Sequence, residues 1–292
     1  MIKFSLPGYC CQQDVIFFFA HLQQDHPEVF MENRYIDSAY DMPPGLIWNG
    51  GRVMLFGMDP LDTWEMSDAY AALNIKLRHT CTNNQLQKHH LSDVLCNNWL
   101  HYTHKEGNAV IVNSDMLGSY IQKYYPNYQL IWSTTRTQND IESVNALSEK
   151  DLVVLDYNYN HSDEYIAQLA HPKNIEVLCA EVCVPNCPHR QDHYTSISRH
   201  QLWYKPIKDE LHECPFGRED PHISFYEGLA MPHGVTNEYI DELYEKFGIE
   251  NFKISGRKAT PHFLIEAICY YLIRPEYRDL VRQDALSSVL CR

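Results

Sequence analysis

Long apolar runs are missing from this sequence. No stretch approaches the roughly 18 consecutive apolar residues that a membrane-spanning helix needs. The opening segment, MIKFSLPGYC, also lacks the basic start and apolar centre of a secretory signal. We therefore predict a cytoplasmic protein without a membrane partner. In that reducing compartment, the ten cysteines are expected to be buried thiols, ligands or nucleophiles rather than a disulfide framework.

An excess of positive charge is also missing. Lysine and arginine together number 24 against 38 aspartates and glutamates, which gives a formal charge of -14. Binding to a phosphate backbone depends on a basic surface that releases counterions, so a broad nucleic-acid-binding surface is not expected. The predicted partner is an unknown substrate, either a small molecule or an RNA held in a local pocket.

Several local signatures of common enzymes are absent. The sequence has no HExxH helix and no GxSxG elbow, which argues against familiar zinc peptidases and α/β-hydrolases. No glycine-rich phosphate loop follows the first apolar run, which argues against a doubly wound dinucleotide-binding sheet.

Short β-like apolar runs alternate with helical stretches along the chain, and this rhythm is typical of parallel βα units. Eight runs favour closure, so we predict an α/β protein with a single (β/α)8 TIM-type barrel, in one domain over residues 1–292. The stretch from Cys187 to Gly248 is too long for a loop and predicts an insertion between strands 7 and 8. The predicted strands are Ile2–Leu6, Arg34–Ser38, Asn74–Thr80, Ala109–Val112, Gln129–Trp132, Leu152–Leu155, Ile175–Leu178 and Phe252–Ile254.

Cysteines beside prolines mark the segment after the seventh run. Cys183 and Cys187 share one proline-stiffened loop, and Cys214 repeats the Cys-Pro pairing inside the insertion. Thiolates are ligands for iron–sulfur clusters and for zinc, so these three residues are the predicted metal ligands. Buried, inert thiols are the competing interpretation. The fourth ligand stays open, and the candidates for it are Cys10, Cys81, Cys179, His189 and His193.

Ionisable side chains cluster around the same strand ends, where barrel enzymes carry their active sites. Glu181 and His193 are predicted to exchange protons as catalytic residues. Arg190, Lys253 and Arg257 are predicted to bind a carboxylate or phosphate of the substrate. A salt-bridged barrel rim would explain the same residues without catalysis. The loop from Trp48 to Arg52 is either an anion-binding nest above the mouth or a plain tight turn.

Two segments carry a resemblance to a known family. The run from Glu181 to Tyr194, followed later by Phe252–Arg257 and then by residues 270–277, resembles peptidase family U32, the collagenase-like peptidases. Ser255 stands where an acidic residue is usual in that family. The resemblance implies a barrel with a cysteine-ligated 4Fe-4S centre. In this chain, Cys183, Cys187 and Cys214 match cysteine ligands of that centre.

Several U32 members take part in oxygen-independent hydroxylation of tRNA, ribosomal RNA or the ubiquinone ring. The resemblance therefore implies an iron–sulfur barrel enzyme for redox-linked modification of an RNA or small molecule. A metal-dependent hydrolase or peptidase is the first alternative. A non-catalytic binding protein stabilised by zinc is the second.

Overall fold

The computed structural model describes residues 1–51, 63–202, 214–218, 220, 222–257 and 259–290. Eight parallel strands close into a barrel in sequence order, with each strand paired to the next and β1 paired to β8. The strands are β1 Ile2–Pro7, β2 Arg34–Asp41, β3 Lys76–Cys81, β4 Ala109–Val112, β5 Gln129–Trp132, β6 Leu152–Val154, β7 Ile175–Cys179 and β8 Asn251–Ile254. The predicted (β/α)8 architecture is confirmed.

Helices surround this barrel and cover the outer face of its strands. The helices within the described residues are α1 Gln13–Asp25, α2 Thr63–Ala72, α3 Val94–Tyr102, α4 Asp115–Tyr124, α5 Ile141–Ser148, α6 Asp163–Ile166, α7 Arg190–Leu202, α8 Phe225–Leu229, α9 Asn237–Phe247, α10 Pro261–Leu272 and α11 Arg278–Leu290. Helices α7, α8 and α9 all lie between β7 and β8, as the predicted insertion requires. None of the described helices combines the length and apolarity needed to cross a bilayer.

The strands bury both of their faces, and alternation along each strand separates two cores. Val110 and Val112 of β4 face outward into the large core formed with the helices. Ala109 and Ile111 face inward and form a small apolar cluster with Tyr40 and residues of β5 and β6. The apolar part of the interior is therefore limited, and charged side chains share the interior with it.

The helical segment between β3 and β4 is interrupted. A 3-10 turn spans Lys88–Ser92, and α3 starts only at Val94. Asp93 accounts for the break, because its side chain accepts a hydrogen bond from the backbone N–H of Cys96 at 2.8 Å and caps α3.

Candidate active site

A cavity of about 150 Å³ opens among the described residues at the carboxyl ends of the strands. We call it the mouth chamber. Four of the predicted site residues, Glu181, His193, Lys253 and Arg257, line it together, whereas Arg190 is not among its lining residues. Most other lining groups are hydroxyl-bearing or apolar, and they include Tyr40, Thr80, Thr82, Ile111, Ser133, Thr134, Thr135, Val154, Leu178, Tyr194 and Ser255.

Lys253 projects from β8 into the barrel interior and is only 6% exposed. Its ammonium nitrogen lies 3.8 Å from the centre of the Tyr40 ring and 3.8 Å from Glu176 Oε2. Burial lowers the pKa of Lys253 to about 7, although the Glu176 carboxylate opposes this shift. The face of the Tyr40 ring also favours the protonated amine. The side chain is therefore close to the point at which it gains or loses its proton at neutral pH.

Glu176 is shared between Lys253 and a closer partner. Arg78 of β3 donates a hydrogen bond to Glu176 Oε1 and a second one, of 3.3 Å, to Asp37 Oδ2. Lys76 Nζ also contacts Asp37, at 2.7 Å. The interior below the mouth chamber is thus an ionic layer in which the two buried carboxylates have two cationic partners besides Lys253.

Arg257 follows β8, and its guanidinium donates hydrogen bonds to β3 and to the loop after β2. Its Nη1 atom donates to Thr80 Oγ1 at 2.8 Å and to Asn49 Oδ1 at 3.2 Å, while Nη2 donates to the carbonyl of Gly50 at 2.8 Å. Gly50 has no room for a side chain, because a Cβ there would lie 2.5 Å from the backbone of Thr82. The predicted loop at Trp48 therefore does lie at the mouth, although Arg52 falls outside the described residues.

Glu181 reaches the chamber because the chain turns sharply after β7. Ala180 adopts a left-handed backbone conformation with φ of 55°, which is uncommon for a residue with a side chain. The Glu181 carboxylate then accepts hydrogen bonds from the backbone N–H of Cys183 at 2.9 Å and from Ser255 Oγ at 3.3 Å. His233, from the insertion, donates from Nε2 to the Glu181 carbonyl at 2.9 Å. The carboxylate is held in place from both sides of the loop.

His193 and Arg190 lie on the first turns of α7, and both are buried. His193 lines the chamber. Arg190 turns away from it and joins neighbouring loops: Nη1 donates to Asp156 Oδ2 at 2.6 Å, Nη2 donates to Thr134 Oγ1 at 2.8 Å, and Nε donates to the Tyr194 hydroxyl at 3.0 Å. We call these residues, together with Tyr157 beneath the guanidinium, the Arg190 cluster. These contacts favour a positioning role for Arg190 over the predicted contact with substrate.

A solved structure described as that of the U32 peptidase Mk0906 shares this architecture. The TM-score is 0.54 and the sequence identity is 12%, over 88% of this chain and 94% of the other. The chain has a U32 peptidase-like fold. No protein-family model and no curated protein matches the sequence. A likeness at this identity shows the fold alone, so the chemistry of the U32-like barrel rests on its own residues.

The cysteines of this U32-like barrel were predicted to share a metal. Cys183 and Cys187 pack beside Tyr157 and Leu178, while Cys214 is half-buried in the insertion. Across the part of the chain that the structure describes, no three His, Cys, Asp or Glu side chains form a group that could hold a metal ion. The described donors therefore do not fit a 4Fe-4S or closed zinc site, and neither group enters the chemistry that we propose.

The cysteines considered for the fourth ligand position also fit a core role. Cys10, Cys81 and Cys179 are buried, and burial raises the pKa of each thiol. Both features are those of buried core cysteines. Cys96 and Cys269 also lie in the large core.

Sequence reasoning missed Tyr40, which lines the mouth chamber. The register between β1 and β2 shifts after Phe4, so that Phe4 pairs with Ile36 but Ser5 pairs with Ser38. One extra residue in β2 reverses the alternation, so Ile36 belongs to the outer core while Tyr40 faces inward. Strict period-two alternation places both on one face, so the pattern alone could not identify Tyr40.

Proposed function

We propose that the mouth chamber is the active site of an enzyme that binds a small anionic substrate and transfers protons on it. The observation that carries this proposal is the convergence of Glu181, His193, Lys253 and Arg257 on one cavity. These residues come from three separate parts of the chain, and a carboxylate with an imidazole can act as base and acid on a substrate held by cations.

Size and charge favour a small substrate. The chamber's volume of about 150 Å³ is below the range of roughly 300–1,000 Å³ typical of sites for drug-sized ligands. Arg257 and Lys253 are the cations that line it most deeply, and both are largely withdrawn from solvent. A carboxylate or phosphate matches the charge of this pair, because hydrogen bonds between ionised groups are the stronger ones.

Three more specific functions need a metal centre. Redox-linked modification with a 4Fe-4S cluster, metal-dependent hydrolysis, and a zinc-stabilised binding role all require donors gathered around a metal. The described residues do not supply such a group. The comparison structure is described as a peptidase, and peptide cleavage by this chain is an alternative that no contact in the chamber favours.

Anion binding tests the proposal directly. Isothermal titration calorimetry of the full chain with inorganic phosphate, acetate and pyruvate should show binding of at least one of them. Arg257→Ala should weaken that binding by about tenfold to a hundredfold, since a charge-assisted hydrogen bond contributes about 1.5–3 kcal/mol. Arg199→Ala is the matched control, because Arg199 is an exposed arginine of α7. Binding that survives Arg257→Ala would contradict the proposal.

A further inference from the structure

Lys253 is a buried cation whose charge the ionic layer does not need. Asp37 and Glu176 are the buried carboxylates of this layer, and Arg78 bridges them while Lys76 contacts Asp37. These four groups already balance, with two negative and two positive charges. Lys253 is therefore a fifth group, and it can lose its proton without leaving either carboxylate without a cationic partner.

The amine of Lys253 is also held in a defined position. The Tyr40 ring covers it at 3.8 Å, and the Tyr40 hydroxyl donates to the carbonyl of Ile254 at 2.7 Å, which fixes the ring. Glu176 lies on the next strand, at 3.8 Å from the nitrogen. A long and otherwise mobile side chain is thus pre-ordered where it borders the chamber.

Groups that handle protons and anions lie further out along the same strand. The β7–β8 ladder continues past Ile254, because the N–H of Ser255 donates to the carbonyl of Cys179 at 3.0 Å. Ser255 therefore follows Lys253 on the inner face, roughly 7 Å further towards the mouth. Glu181 contacts Ser255 at this level, and Arg257 lies beyond it at the rim.

We propose that Lys253 is a nucleophile that forms an imine with an aldehyde or ketone whose carboxylate or phosphate is bound by Arg257. This inference rests on the proposed function and names its substrate class. The neutral amine attacks the carbonyl carbon, and the new C–N bond forms as the carbonyl oxygen takes a proton. The nitrogen then loses its protons and the hydroxyl leaves as water, so the carbonyl and the amine give one imine and one water. No oxidant or reductant is consumed.

The acid–base groups of the chamber suit this sequence. Glu181 or His193 can give a proton to the departing hydroxyl and take one from the nitrogen. The pKa of about 7 for Lys253 supports the same role, because a large fraction of the amine is then free at neutral pH. An imine to an anionic carbonyl compound also offers an electron sink for removal of a neighbouring proton.

Reductive trapping tests the inference on the wild-type chain. The protein is mixed at pH 7 with sodium cyanoborohydride and one of three two-carbon aldehydes: glyoxylate, glycolaldehyde phosphate or uncharged glycolaldehyde. Peptide mass spectrometry then locates the secondary amine. Lys253 should be labelled roughly tenfold or more faster than the exposed Lys173, and faster by one of the two anionic aldehydes than by glycolaldehyde. The faster anionic probe identifies carboxylate or phosphate as the preferred group.

Variants separate this inference from the proposed function. Lys253→Met should remove the label, and Arg257→Ala should abolish the advantage of the anionic probes while glycolaldehyde still reacts. Labelling of Lys253 no faster than Lys173, or equal labelling by charged and uncharged aldehydes, would overturn the inference. If Lys253 is unreactive but phosphate, acetate or pyruvate still binds through Arg257, only the imine fails. If neither is seen, the proposed function fails with it.

Discussion

Two buried cations near the mouth of one barrel have opposite environments. In the Arg190 cluster, burial acts to lower the pKa of Arg190, but Tyr194 and Asp156 outweigh it and the pKa rises. In the mouth chamber, burial dominates, and the pKa of Lys253 falls to about 7. The first cation has a carboxylate at 2.6 Å, whereas the second has its carboxylate only at 3.8 Å.

The difference between these two environments indicates a structural role for Arg190 and a chemical role for Lys253. Arg190 makes hydrogen bonds to loops that follow β5 and β6, and its charged guanidinium holds those loops together. Lys253 lies next to a carboxylate that Arg78 already neutralises, and it borders a cavity. A buried charge with tight partners indicates a structural role, and one with loose partners beside a cavity indicates a reactive group.

The largest effect is expected in the Arg190 cluster. Arg190→Ala leaves the buried Asp156 carboxylate without its cation and should lower the free energy of unfolding by about 3–5 kcal/mol. Urea unfolding followed by circular dichroism measures the change. Adding Asp156→Asn to Arg190→Ala removes the stranded charge and should recover part of the loss. If Arg190→Ala lowers the free energy of unfolding by less than about 1 kcal/mol, the proposed difference between Arg190 and Lys253 is contradicted.

Lys253→Met should have a smaller effect of the opposite sign. Replacing a loosely paired buried cation by an apolar side chain of similar length should raise the free energy of unfolding at pH 7 by about 1 kcal/mol. Thermal unfolding of both proteins in one buffer measures the difference. Strong destabilisation would show that the ionic layer does need this charge.

The gain in free energy of unfolding caused by Lys253→Met should also depend on pH. The unfolded lysine keeps its ordinary pKa near 10.4, while the folded one titrates at about 7. Between these values the unfolded wild-type chain binds more protons, so wild-type stability rises with pH relative to the variant. The stability difference should be largest at or below pH 7 and should shrink towards pH 10. A difference independent of pH would mean that Lys253 keeps its proton in the folded state.

The rate of trapping at Lys253 should rise with pH up to about 7 and then level off. The charged groups that set this midpoint are Glu176 on β7, Arg78 on β3 and Arg257 after β8, with the Tyr40 ring on β2 also facing the amine. Exposed Lys173 provides the reference rate at each pH. Parallel profiles for the two lysines would remove the distinction on which the comparison rests.

Metal content is expected to show the smallest signal. The 4Fe-4S centre at Cys183, Cys187 and Cys214 stays a prediction. Because the described residues contain no group of three His, Cys, Asp or Glu side chains that could hold a metal ion, we expect substoichiometric iron and zinc. Purification without oxygen, followed by elemental analysis and a visible spectrum, measures both metals. Stoichiometric iron in the wild-type protein that is absent from Cys183→Ser would support the predicted cluster.

The barrel architecture could be predicted from the sequence because each strand is a short apolar run that ends at polar residues. The bounds of β4 and β5 are those predicted, and the other six differ by a few residues. The same polar stops predicted that Glu181, His193, Lys253 and Arg257 would meet, since the carboxyl ends of barrel strands gather on one face.

The hydrogen-bond partners of the site residues could not be predicted from the sequence in the same way. Arg190 and Asp156 are 34 residues apart, and which loop the guanidinium enters depends on the packing of α7. The prediction that Cys183, Cys187 and Cys214 share a metal rests on prolines that stiffen their loops, and a stiff loop does not by itself direct its sulfurs to a common point. Nothing in the local sequence records such distances, because they are set by tertiary contacts.

Closure of the barrel has a consequence for synthesis on the ribosome. The strand that seals the barrel, β8, pairs with β1 across almost the whole chain, with Ser5 beside Lys253. The same strand carries the reactive amine, and Arg257 follows it directly. Any nascent chain that ends before β8 therefore lacks both its final seam and its two key basic groups. The amine of Lys253 is thus synthesised with the same strand that completes the ring of strands around it.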